Sequence, residues 1–138
     1  MPTCLFVYGT LSRDGSAHEL LPKHAARFIG TGLVFGRLFD LGQYPALVLH
    51  HKSSDQVHGE VYELLDESVL EELDAYEDFR AGDQGSLFVR VEARIIGMIK
   101  GTNGNEIRPM TAWVYVYNPE RSLRGATPIK SKLLMPWD

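Results

Sequence analysis

The chain has 138 residues, room for one ordinary domain with a core and little more. Its 44% hydrophobic and 23% charged residues exclude a disordered or fibrous chain. A net charge of −4, with Lys and Arg scattered, speaks against nucleic acid or an anionic membrane surface as partner.

From the front, "MPTCLFVYG" lacks the basic and long apolar regions of a signal peptide. No run in the chain approaches membrane-spanning length, so a cytoplasmic protein without a membrane partner is expected. "CLFVY" is apolar on both alternating faces, which predicts an interior strand covered on two sides. Cys4, the only cysteine, excludes an intrachain disulfide and a cysteine metal cluster, and its apolar strand favours packing over reactivity.

After the loop from Gly9 to Gly15, "SAHELLPKHA" leaves room for a short helix stopped at Pro22. "FIGTGLVFGRLFDLG" is β-rich, and Gly30, Gly32, Gly36 and Gly42 predict bends or bulges in a curved or closed sheet. "YPALVLH" and "VHGEVYELL" predict two more strands around the turn-like "HKSSDQ".

"DESVLEELDAY" is the convincing helix, with Val69, Leu70, Leu73 and Tyr76 on one apolar face. Asp66 or Ser68 caps its start, and Ser68 with Glu71 has capping-box spacing. "EDFRAGDQGS" is a polar loop. "LFVRVEARIIGMI" and "IRPMTAWVYVYN" then form a long hairpin, its turn signalled by Asn103-Gly104. The stretch from Pro119 onward is expected to be mostly irregular surface chain. Strands joined largely by hairpins around one helix make this an α+β domain without a doubly wound parallel sheet.

Three places attract chemical attention. A chain leaving a buried strand at glycine, as Tyr8-Gly9-Thr10-Leu11 does, can present successive amides to a carboxylate or developing oxyanion. An ordinary strand-to-loop turn has the same composition. Glu77 ends the helix, where the negative helix end and partial burial beside Tyr76 would raise a carboxyl pKa towards that of a general base. It also belongs to an acidic run of Glu71, Glu72, Asp74 and Asp78 that a solvated surface would explain. Alternation puts Phe88, Arg90, Glu92 and Arg94 on one strand face, with Phe88 the odd aromatic among charges. His50, His51 and His58 fit no common zinc spacing, so no metal site is expected.

In order and spacing, "FVYGTL", "YPAL", "VHGEVYEL", "LDAYED", "FVRVEA" and "AWVYVY" resemble the γ-glutamylcyclotransferase superfamily. Its γ-glutamylamine cyclotransferase-like and avirulence-induced-gene-like branches are included in the resemblance. The match runs over residues 4–117 of a single 1–138 domain and leaves 118–138 as a tail.

It implies a small mixed β-barrel with flanking helices and a ligand cavity at the barrel mouth. It implies that Tyr8, Gly9, Thr10 and Leu11 grip a small γ-glutamyl substrate, with Phe88 also at the binding site, and that Glu77 is the catalytic base and acid. The products would be 5-oxoproline and a free amine or amino acid, with no cofactor or metal. Two departures stand out: Asp78 where many members have glycine, and Phe88 where an aromatic hydroxyl is common. They favour, as an alternative, a binding or regulatory protein that kept the cavity. A lyase or acyl-transfer step on a γ-glutamyl-tagged metabolite is a third option. The oligomeric state is left open.

Overall fold

A computed structural model describes residues 3–8, 25–40, 45–49, 55–76, 88–101, 104–118 and 127–129. The elements are β1 (Thr3–Val7), β2 (Ala26–Asp40), β3 (Pro45–Leu49), β4 (Gln56–Leu64), α1 (Ser68–Tyr76), β5 (Phe88–Gly101), β6 (Gly104–Tyr117) and β7 (Thr127–Ile129). The expected short helix before Pro22 lies outside the described residues.

Five strands close a barrel in the order β2-β4-β1-β6-β5, and β5 returns to β2. Neighbours are antiparallel except β1 and β6, which run parallel with Leu5 opposite Trp113. Closure depends on β2, whose Gly30–Leu33 stretch lies between β4 and β5. The register with β4 slips between Phe28 and Gly30. A Cβ on Gly30 would lie 2.1 Å from the Met98 carbonyl oxygen, so only glycine lets β5 approach here. Beyond Leu33, β2 leaves β5 and its far half pairs with β3 and β7. The tail thus contributes a short strand against Leu38–Asp40, where the sequence predicted irregular chain.

β1 is buried on both faces because the sheet separates two apolar layers. Phe6, Val34, Val57, Val61, Ile95 and Val114 are among those filling the barrel interior. On the outer face, Leu5, Val7, Tyr62 and Tyr115 pack against Val69, Leu70 and Leu73 of α1. The helix begins at a cap: the Asp66 carboxylate accepts from the Ser68 amide at 2.9 Å. Asp66 is thus the capping residue of the two expected, and Ser68 is already helical.

The long hairpin pairs from Phe88 opposite Tyr117 to Gly101 opposite Gly104. Its connection is residues 102–103, one position earlier than Asn103-Gly104. Gly104 takes a positive φ of 104° as the first paired residue of β6. No helix among the described residues is long and apolar enough to cross a membrane.

Candidate active site

Asp74 lies in the last turn of α1, the negative end of the helix dipole, and no basic residue shares that turn. A carboxylate is unfavourable there unless something outside the helix compensates it. Arg90 of β5 does so, donating from Nε at 2.7 Å and from a terminal nitrogen at 3.0 Å in a two-pronged ion pair. Both side chains are under 20% exposed, so the pair is largely shielded from water. The bond to Asp74 is the main cause holding the Arg90 guanidinium pKa above its ordinary value, against the opposing effect of burial. Arg90 also stacks on Trp113 of β6, 4.4 Å from the ring centroid.

Tyr115, opposite Arg90 in the hairpin, completes the group. Its hydroxyl is 2.6 Å from the Asp74 carboxylate, to which it donates, and 3.4 Å from the Leu70 carbonyl. Its own carbonyl accepts from the Tyr8 hydroxyl at 2.5 Å. Tyr8 is the residue immediately after β1. One residue of β6 therefore holds the exit of β1 through its main chain and the end of α1 through its side chain. Gly59 on β4 shapes the same exit, since a Cβ there would sit 2.3 Å from the Val7 carbonyl.

Of the residues expected at the site, Tyr8 and Phe88 are described; Gly9, Thr10, Leu11 and Glu77 lie outside the described residues, as do Asp78 and the "EDFRAGDQGS" loop. Gly9 follows Tyr8 directly, and Glu77 follows Tyr76, the last residue of α1. Phe88 is buried. Its ring meets Tyr117 edge-on at 6.3 Å, and both pack with Ala46 of β3. Arg90, Asp74 and Tyr115 had not been singled out for this role.

Where β2 and β5 part, a cleft of about 460 Å³ opens, lined by Val34, Phe35, Leu49 and Ala93 with Glu92 and Arg94 at hand. A second groove of about 350 Å³ crosses the glycines Gly32, Gly59 and Gly97 beside His58. His50 and His51 lie outside the described residues. Among the described residues, no three His, Cys, Asp or Glu side chains gather as a metal ion would require.

Comparison with known proteins gives this arrangement its context. Residues 5–135 match the family model described as "Gamma-glutamyl cyclotransferase, AIG2-like". A Vibrio cholerae protein named as a putative gamma-glutamylcyclotransferase is 38% identical over 128 residues, covering 91% of this chain and 90% of its own. The gamma-L-glutamyl-butirosin B gamma-glutamyl cyclotransferase of Niallia circulans is 35% identical over 117 residues, 83% of this chain. The match spans 66% of that relative's length. The crystal structure of an AIG2-like protein from Mus musculus superposes with a TM-score of 0.66, at 29% identity over 86% of this chain and 81% of that one. The chain belongs to the γ-glutamyl cyclotransferase, AIG2-like family.

Proposed function

We propose that this protein converts a γ-glutamyl amine or γ-glutamyl amino acid to 5-oxoproline and the free amine, with Glu77 as base and then acid. The α-nitrogen of such a compound can fold back on its own γ-carbonyl to close a five-membered ring. As an ammonium it has no lone pair to attack with. Glu77 takes one proton, the freed nitrogen bonds to the γ-carbon, and as the γ-amide C–N bond breaks this proton and the second one shed by the attacking nitrogen pass to the leaving nitrogen, which departs as an ammonium. The amides of Gly9, Thr10 and Leu11 would hold the glutamyl group in this folded geometry and stabilise the oxygen that gains charge.

The observation that carries this assignment is the double attachment at Tyr115. The strand leading into the Gly9–Leu11 segment and the helix leading into Glu77 are both bound to that one residue. Family membership supports a γ-glutamyl substrate, and the relative named for γ-glutamyl-butirosin B supports an amine as leaving group. Reaction in the cytoplasm is part of the same proposal.

Incubation with a panel of γ-glutamyl amines, γ-glutamyl amino acids and glutathione, with 5-oxoproline quantified by mass spectrometry, tests it. Oxoproline is expected with the amines or amino acids and is expected to vanish in Glu77→Gln. A second reading, a binding protein that keeps the γ-glutamyl cavity, is favoured by Phe88, which packs with Ala46 and Tyr117 and carries no hydroxyl to offer a substrate. No turnover across the panel, with γ-glutamyl ligands still bound by the folded protein, would establish that reading instead.

A further inference from the structure

We infer that Tyr115, Arg90 and Asp74 form a positioning centre that sets the general base against the substrate-holding segment; this rests on the function proposed above. Asp74 stands three residues before Glu77 in sequence, in the last turn of the helix that Glu77 follows. A helix end fixed only by apolar contacts can rotate slightly about its axis. Asp74 removes that freedom because three donor contacts from two different strands converge on its carboxylate. Those strands are register partners, Arg90 opposite Tyr115, so the donors share one rigid hairpin.

The second attachment gives the centre its functional meaning. Tyr115 also accepts from Tyr8, and the segment expected to hold the substrate begins at the next residue. The end of α1 and the exit of β1 are therefore referred to a common point, Tyr115. Trp113 under Arg90 holds the guanidinium over its ring while Arg90 reaches the helix.

The charges make the centre separable from simple structural support. Arg90 balances the Asp74 charge, so removing either alone changes the net charge near the helix end by one unit, in opposite directions. Among the described residues, the other titratable groups nearby are held or solvent-facing. Glu71 and Glu72 on α1 are exposed, Glu92 on β5 is exposed, and Glu60 on β4 receives the Tyr62 hydroxyl at 3.1 Å. In Arg90→Gln the free Asp74 carboxylate raises the pKa of Glu77. In Asp74→Asn the positive charge of Arg90, no longer balanced by the Asp74 carboxylate, lowers it.

The test is the pH profile of kcat/KM on the best substrate from the panel, for both single variants, the double variant and Tyr115→Phe. The acid limb should move up by about 0.5 pH unit or more in Arg90→Gln and down by a similar amount in Asp74→Asn, and return in the double variant. Tyr115→Phe keeps the ring and loses one hydroxyl. It should lower kcat roughly 10- to 100-fold with KM within about twofold.

Shifts in the same direction, or a Tyr115→Phe enzyme with unchanged kcat, would overturn the inference. Hydrogen exchange of the amides in the last turn of α1, followed by mass spectrometry, provides an arm independent of turnover. Faster exchange in Tyr115→Phe and Arg90→Gln is expected, and exchange equal to that of the unaltered protein counts against the centre. If the unaltered protein releases no oxoproline, the proposed function fails by that result alone, while the exchange arm still reports on the clamp.

Discussion

Asp74 has acidic neighbours on both sides in sequence, and the same composition would suit a solvated helix face. What separates it from Glu71 and Glu72, which are exposed, is its place one turn beyond Leu70, at the edge of the apolar stripe and facing β5 and β6. Asp74→Ala would leave Arg90 largely buried without its main partner. We expect a loss of roughly 1–3 kcal/mol, measurable by urea denaturation. Gly59→Ala is expected to cost a similar 1–3 kcal/mol or so, because the new methyl meets the Val7 carbonyl and the Phe6 ring. Burial, and secondarily Glu63, push the Cys4 thiol pKa up, with Arg108 partly offsetting them. Cys4 therefore favours folding while it stays protonated. That contribution is complete below the unfolded-state thiol pKa of about 8.5 and is lost as pH rises through the higher folded value. Stability followed by denaturant midpoints should fall in this alkaline range, and fall less steeply in Cys4→Ala.

The elements themselves were largely legible. β1, β3, β4, α1 and the β5–β6 hairpin follow from alternation, helical spacing and turn residues, each of them local signals. Two details did not follow. Asn-Gly pointed to the hairpin turn, yet the positive φ that glycine supplies is used at the first paired residue instead of within the connection. β7 carries no apolar alternation long enough to announce it, since three residues against the edge of β2 define it. Within α1, Leu73 is fully buried between the helix and the sheet, so Leu73→Ala should cost about 2–5 kcal/mol. Asp66→Ala, which removes the cap, should cost about 1 kcal/mol. The two losses read in thermal unfolding should be nearly additive, because cap and core contact are separate interactions.

At the scale of the whole molecule, strand order and site assembly required more than local pattern. A curved or closed sheet could be inferred from the glycines of β2, and the family resemblance supplied the barrel. Nothing in the composition of Asp74, Arg90 or Tyr115 shows that residues 16 and 41 positions apart meet in one cluster. Phe88 was the available hint: an aromatic on the charged face of β5 means that this end of the face is covered. The covering group is Tyr117 with Ala46, while Arg90, two residues on, lies under the helix.

The parallel pairing of β1 with β6 also bears on how the chain is made. Leu5 can find its partner Trp113 only after the long stretch of chain between them, 108 positions in sequence (113 − 5), has left the ribosome. Until then β1 can use only its pairing with β4, and its other edge must wait with unpaired amides and carbonyls. The nascent chain thus holds an apolar strand with one open edge until β6 is made, a state that invites chaperone binding and pairing between neighbouring chains.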